Sequence, residues 1–448
     1  MESPRGDEVT GRASGVGFAS RGCRLEGASL GAVLDRGEHP RLVWAGEGET
    51  IAAHGSAAVV TAEGGDRFAD VRAAADELFT GRDVAGELPR AARPRLFGGF
   101  AFHDGDQQAG DGSPWAGFPD AAFVLPAVQV TAVDGETWLT ATATGPDDAV
   151  AAAKRRRERW RDRLTADAET ATDRPTIVDR RPTPDREGWR RQVEDALDQV
   201  ERGSLRKVVL AQALTLDLSG PPPVPSLLES LGETYPDCRR FLFAPDDGAA
   251  FFGVTPERLV SLRGRTVRTE ALAGSTGRGE TPAEDQWLAE QLRDSPKDAH
   301  EHDLVVEAIR EQLTPFASSV RGGERSIRRL ATVQHLRTPM TAELAGDEHV
   351  LALVEALHPT PAVGGLPPDA ALATIRETET FDRGWYAAPV GWFDADGNGS
   401  FAVAIRSALA RGETATLFAG AGIVADSDPD AEWDEVQLKY RPILDELA

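Results

Sequence analysis

The chain has 448 residues, 41% of them hydrophobic, with 45 glycines and 29 prolines, a globular composition that allows one large core or two fused domains and argues against disorder of the whole chain. Its 73 acidic side chains give a formal net charge of −24, spread along the sequence, so the surface repels nucleic acid and anionic lipid, and neither is expected as a partner. Two cysteines, Cys23 and Cys238, form neither a disulfide framework nor a metal-spaced pair, which suits a reducing cytoplasm. The opening Met1-Glu2-Ser3-Pro4-Arg5 lacks the basic start and apolar core of a signal peptide, and no apolar run reaches membrane-span length, so a cytoplasmic location is expected. Only four of the 49 Lys and Arg side chains are lysines, Lys154, Lys207, Lys297 and Lys439; scattered acidity with so little lysine resembles adaptation to high salt.

Residues 1–145 mix short alternating segments, such as Ala57-Ala58-Val59-Val60-Thr61, with Gly-rich turns and a helix-like stretch near 69–79, a sheet-forming pattern. The stretch 146–184 begins as a heavily charged helix to about 168 and continues as a surface connection around 170–175. A soft boundary falls there, before the region 185–448. An amphipathic helix over 185–201 places Trp189, Val193, Ala196, Leu197 and Val200 on one face and ends at Gly203, as a helix C-terminus should. Strands are then expected at 239–244, 250–254, 258–263, 387–393, 400–407 and 414–419, with helices near 283–293, 298–313, 348–357, 367–376 and 429–447. Strands in groups separated by short turns favour antiparallel pairing and an α+β class.

Lys207 stands in Arg206-Lys207-Val208-Val209-Leu210-Ala211, a pattern of a buried strand in which an amine loses solvation and its pKa should fall. It is a candidate base, with chance survival of a few lysines as the plain alternative. Glu257 sits at a turn between two apolar segments, where burial could lift its carboxyl toward general-acid range unless an arginine pairs with it. In the last helix, capped by Asp428 and opened by Pro429, Glu432, Glu435 and Lys439 border the apolar face of Trp433, Val436, Tyr440, Ile443, Leu444 and Leu447; Glu435 and Lys439 also have the spacing of an ordinary surface pair. Glu301 lies one turn before Leu304 and Val305, so it too points inward. Inward acids on two helices could jointly hold a cation, and oxygen-only ligation selects magnesium.

Three other patterns mislead. Asp394-Ala395-Asp396-Gly397-Asn398-Gly399-Ser400 opens like a calcium loop but has Ile405 at the twelfth position, so it is a hairpin turn. His300 and His302 are spaced two apart, wrong for a zinc-binding helix face. Gly420-Ala421-Gly422 lacks the third glycine of a dinucleotide fingerprint, although its backbone could meet a carboxylate.

Taken together, Lys207-Val208-Val209-Leu210-Ala211, Thr255-Pro256-Glu257-Arg258-Leu259, Leu272-Ala273-Gly274-Ser275, His300-Glu301-His302, His358-Pro359-Thr360-Pro361-Ala362-Val363-Gly364-Gly365, Phe381-Asp382-Arg383-Gly384, Ala404-Ile405-Arg406 and Phe418-Ala419-Gly420-Ala421-Gly422 resemble the chorismate-utilising enzymes, and within them the isochorismate synthases. Leu96-Phe97-Gly98-Gly99-Phe100 and Trp115 extend the likeness less specifically toward the amino terminus. The resemblance implies a single large α+β unit of two packed antiparallel sheets with outer helices. It implies that Lys207 activates a water for attack on C2 of chorismate while Glu257 protonates the departing C4 hydroxyl. It further implies Mg²⁺ on Glu301 and Glu435 with Glu432 close by, the substrate carboxylates on Arg406, Lys439 and the backbone at Gly274, Ser275 and Gly420, and a pocket lined by His335 and Ala362.

Members that use ammonia usually carry a Gly-Gly-Ser-Ile-Thr-Gly-Ala-Pro-Lys-like stretch where this chain has Pro361-Ala362-Val363-Gly364-Gly365-Leu366-Pro367, so no glutamine amidotransferase subunit is expected. Ala273 replaces the nucleophilic lysine of some aminodeoxychorismate synthases and cannot do its work. Salicylate synthases, which go on to eliminate pyruvate, share the base, acid and metal ligands and are the alternative; Ala362-Val363 favours stopping at isochorismate. A non-catalytic acidic interaction protein on this fold predicts loss of Lys207, Glu257, Glu301 or Glu435, yet all are present. Gln212, where arginine is frequent, and Ala388, where glycine is common, depart from the pattern; they bear on strand geometry, and neither removes a catalytic group.

Overall fold

Short segments rich in aromatic and other apolar residues, such as Arg95–Phe100 and Pro389–Asp394, form strands buried on both faces, the pattern of sheets covered on each side. The computed structural model describes residues 17–26, 30–105, 113–145, 148–164 and 174–447. The opening Met1-Glu2-Ser3-Pro4-Arg5 and much of the proposed connection, 165–173, lie outside the described residues. Among the described residues 21 strands join in one hydrogen-bonded network. Every pairing is antiparallel except that of Phe18–Leu25 with Asp83–Ala85.

This network folds back on itself as two leaves. One leaf runs through Lys207–Leu218, Thr414–Ile423, Ser407–Arg411, Ala249–Thr255, Arg239–Asp246 and Arg41–Gly46 to Glu49–Ala62. It continues through Ala121–Val133 and Arg95–Phe100 into the other leaf, Pro389–Asp394, Gly399–Val403, Arg258–Arg263, Thr266–Gly277 and Val333–Leu344. Phe243 and Phe251 of the first leaf pack on Trp385, at the entry to the second, with ring centroids 4.8 and 6.5 Å apart. The two packed sheets implied by the family likeness are thus halves of one continuous ribbon.

The chain crosses between the leaves at two neighbouring places. Pro256-Glu257 links Ala249–Thr255 to Arg258–Arg263, and Ala404-Ile405-Arg406 links Gly399–Val403 to Ser407–Arg411. The crossovers bind each other, Val403 N donating to Glu257 O at 3.1 Å and Val254 N to Arg406 O at 3.0 Å. Arg406 adopts φ +52°, a left-handed conformation that no strand accommodates, and this splits the single strand expected over 400–407. A second difference is the edge strand Ile177–Thr183, paired with Lys207–Leu218 where the sequence pattern suggests only a connection. Its side chains are largely exposed, so apolar alternation could not reveal it. Thr266–Gly277 and Val333–Leu344 are long strands absent from the expected set.

The helices follow the expected positions closely. Asp185 caps Arg186–Glu201 by accepting from Gly188 N at 2.8 Å, and Trp189, Val193 and Ala196 are buried. Ser295 caps Pro296–Leu313, which packs on Thr266–Gly277. Asp428 accepts from Asp430 N and Ala431 N at the start of Pro429–Leu447, which buries Val436, Tyr440, Ile443 and Leu447 against Thr414–Ile423. Asp394 Oδ1 accepts from Asp396 N and Asn398 N in the tight turn before Gly399–Val403, as the hairpin reading requires. Among the described residues no helix is long and apolar enough to cross a membrane.

Candidate active site

The two crossovers, the start of Lys207–Leu218 and the end of Thr414–Ile423 enclose two adjoining cavities of about 90 and 220 Å³. They share Val209, Leu272, Ser275, Ala362, Gly420 and Lys439. Together they gather every sequence-predicted site residue: Glu257, His335 and Arg406 line the smaller one, and Lys207, Gly274, Glu301, Glu432 and Glu435 the larger. Larger depressions lie elsewhere on the surface.

Lys207 opens its strand with its side chain only 6% exposed and donates to Glu301 Oε1 at 2.5 Å. The amine is buried, as the strand pattern implies, and it has a carboxylate partner that the pattern did not reveal. Gly422, nearby on the paired strand, makes room for it: a Cβ there would lie 2.9 Å from Lys207 Cε. Glu301 faces inward because its helix buries His302, Val305 and Ile309. His302 itself is structural, its ring nitrogens 3.3 Å from Ala273 O and 2.8 Å from Thr338 Oγ1.

Glu257 is carried into the interior by its crossover. Burial, and then the neighbouring Glu270 carboxylate, push its carboxyl up to about 7, against the opposing influence of Thr360, Arg406 and Lys207. Thr360 Oγ1 lies 3.4 Å from Glu257 Oε1. The alternative arginine pairing falls instead to Glu270, whose carboxyl is kept low despite burial by Arg328, Arg337 and Arg258. The environment therefore separates two neighbouring carboxylates, one held ionised and one able to hold a proton at neutral pH.

Positive charge lines the same space. Arg406 is buried, with its pKa lowered by burial, and its guanidinium makes no hydrogen bond to another described residue. Such an unpaired buried fork of donors is suited to a carboxylate. Lys439 donates to Gly420 O at 2.7 Å and pairs with Glu435 at 2.6 Å. The ordinary i,i+4 pair thus exists, but its lysine side chain is only 14% exposed. Ser275 Oγ meets His335 Nδ1 at 2.7 Å, and burial, with Arg406 and Lys439 nearby, drives His335 down to about 3, so it stays neutral. Gly274 bulges out of its strand at φ +73°, a conformation that favours glycine.

Glu301, Glu432 and Glu435 face one cavity and offer oxygen donors only. Lys439 holds Glu435 low despite burial, whereas burial, with Glu435 adding to it, raises Glu432. An oxygen-only donor set of this kind suits a hard cation. As the side chains stand, no group of three His, Cys, Asp or Glu among the described residues could hold a metal ion; two of the three carboxylates are turned to lysines.

Some participants were not singled out from sequence. Tyr386 lines the smaller cavity, its hydroxyl pushed up to about 12 by burial. Arg383 and Glu379 form a buried pair behind it; Arg383 donates to Val209 O and Val363 O, and Glu379 accepts from Ala211 N. Glu270 carried no periodic signal, because its relation to Glu257 arises only through the crossover. Gln212 is tied in by donating to Pro184 O at 2.9 Å and by Tyr440 donating to its carbonyl at 2.8 Å.

Residues 26–448 match the family described as chorismate binding enzyme. The chain is 39% identical over 431 residues to the salicylate biosynthesis isochorismate synthase of Pseudomonas aeruginosa, covering 94% of this chain and 87% of that one. It is 36% identical over 362 residues to isochorismate synthase MenF of Bacillus subtilis, covering 80% and 75% respectively. The solved structure of MenF, the menaquinone-specific isochorismate synthase from Escherichia coli, superposes with a TM-score of 0.83 at 26% identity over 97% of this chain and 95% of that one. The chain belongs to the chorismate-binding enzyme family.

Proposed function

We propose that this protein is an isochorismate synthase, converting chorismate to isochorismate by adding water at C2 and expelling the C4 hydroxyl. The observation that carries the reading is the presence of a buried amine, Lys207, and a buried carboxyl, Glu257, whose pKa of about 7 permits proton donation, on two adjoining cavities that also present Arg406 and Lys439. The likeness to isochorismate synthases over most of the chain supports it.

In this account Lys207 takes a proton from water as the water oxygen bonds to C2. The ring double bonds shift, the C4–O bond breaks, and Glu257 gives its proton so that the hydroxyl leaves as water; one water enters and one departs. Arg406 and Lys439 hold the two substrate carboxylates, with the backbone at Gly274, Ser275 and Gly420 beside them. His335 and Ala362 shape the wall. Glu301 and Glu435, with Glu432 close by, would hold Mg²⁺, which would supply counter-charge for the ring carboxylate. Glu301 also pairs with Lys207, so it would be shared between that amine and the ion.

The product feeds quinone or siderophore synthesis; the named relatives include a menaquinone-specific and a salicylate-pathway enzyme. The test is incubation of purified protein with chorismate and Mg²⁺ in concentrated KCl, products being separated beside a Lys207→Ala control. Isochorismate from the wild type alone supports the proposal, salicylate with pyruvate moves it to salicylate synthase, and unchanged chorismate with folded protein overturns it. Separately, Mg²⁺ should protect the protein against unfolding, and Glu301→Gln should abolish that protection.

A further inference from the structure

Five arginines, Arg239, Arg258, Arg328, Arg329 and Arg337, line a cavity of about 610 Å³ whose walls carry only three acidic groups, Glu47, Asp237 and Glu270. In a chain of net charge −24 this is a local reversal of sign. Glu47 is shared between Arg239 at 2.8 Å and Arg258 at 3.0 Å. Glu270 is shared between Arg337 at 2.5 Å and Arg328 at 3.2 Å. One carboxylate cannot satisfy two guanidiniums of five N–H donors each. Nε of Arg239 and Nε of Arg258 are accordingly buried without a partner, and Arg239 is only 4% exposed. An unpaired donor on a buried cation is costly unless an anion takes it up.

We propose that this cavity binds a small polyanion carrying two or more carboxylate or phosphate groups, at a site separate from the chorismate cavity. The volume falls in the range of small-ligand pockets, roughly 300–1,000 Å³. It shares no lining residue with the two cavities around Glu257. The two regions are nonetheless mechanically joined, because Arg328 donates to Pro256 O at 2.9 Å and to Asp237 O at 2.8 Å while reaching Glu270. An anion that draws on Arg328 pulls on the crossover that carries Glu257. The binding claim stands without the proposed reaction; only this coupling rests on it.

Calorimetric titration with citrate and, separately, with inorganic phosphate tests the proposal, at the lowest KCl concentration that keeps the full chain folded by circular dichroism. At least one anion should bind saturably at one per chain, and which one identifies carboxylate or phosphate as the preferred chemistry. Arg239→Gln should weaken that binding about tenfold or more. Ser326→Glu, an exposed position on the cavity wall, should do the same by charge repulsion without disturbing the core, so it decides the matter if the first variant does not fold. Lys439→Ala should leave the binding intact. Absence of saturable binding for both anions, indifference to Ser326→Glu, or loss of binding in Lys439→Ala overturns the proposal.

Discussion

Glu270→Gln gives a direct handle on the acid, since Glu270 lines neither of the cavities around Glu257 yet is the second cause, after burial, of the rise of Glu257 from 4.5 to about 7. At pH 7 a carboxyl with a pKa of 7 is about half protonated, while one at 4.5 is protonated about 0.3% of the time, so the environment increases the acid form by about 150-fold. Replacing Glu270 removes a negative charge beside Glu257 and takes the carboxylate from Arg328 and Arg337, its partners at 3.2 and 2.5 Å. Both changes favour the ionised form of Glu257 and lower its pKa. Burial, the larger cause, remains. Above its pKa the protonated fraction falls tenfold per pH unit, so kcat/KM at pH 8 should drop between about threefold and thirtyfold, and the limb of the pH profile near 7 should move to lower pH. The assay is kcat/KM for isochorismate formation from pH 5.5 to 9, with folding verified by circular dichroism because the substitution breaks buried ion pairs. A folded variant whose limb and rate at pH 8 match the wild type would refute the reasoning.

Three further outcomes follow from the same structure. Because the folded-state pKa of Glu257, about 7, lies above the unfolded value, the folded chain binds the extra proton between about pH 4.5 and 7 and loses up to about 3 kcal/mol of stability as pH rises through that window; Glu257→Gln should therefore melt higher than wild type at pH 8 while losing activity, and an equal or lower Tm there contradicts the assignment. Gly422→Ala would place a Cβ 2.9 Å from Lys207 Cε and 3.3 Å from its Nζ; the flexible side chain can yield, so Tm should change little while displacement of the base lowers kcat about 100-fold, and unchanged kcat would remove Lys207 from the chemistry. With a net charge of −24 and only four lysines, the enzyme should be most active in multimolar KCl, and best activity in dilute buffer with loss in concentrated KCl contradicts the high-salt reading.

Local signals in the sequence were legible where one element decides the outcome. The cap at Asp428 and the apolar stripes of the helices over 185–201 and 429–447 mark helices that the structure retains within a few residues, and the strand around Lys207 is buried as its pattern requires. The site residues could be named from motifs, but their grouping depends on the two crossovers, and nothing periodic marks a chain that passes from one leaf to the other. Arg406 shows this plainly: an apparently continuous strand over 400–407 is broken by its positive φ, which turns the guanidinium into the cavity. The edge strand Ile177–Thr183 was hidden for the opposite reason, since an exposed polar edge leaves no apolar alternation. The partners of the acids were equally hidden. Glu301 to Lys207 and Glu270 to Arg328 span 94 and 58 residues, separations that no local pattern can bridge.

The central claim is attack of a Lys207-activated water on C2, and the most direct measurement is turnover of chorismate in ¹⁸O-labelled water, with isochorismate analysed by mass spectrometry and the label located by fragmentation. The wild-type product should carry one ¹⁸O in its C2 hydroxyl, and Lys207→Ala should form no isochorismate. Isochorismate without label, or labelled product formed equally by folded Lys207→Ala, would contradict that claim.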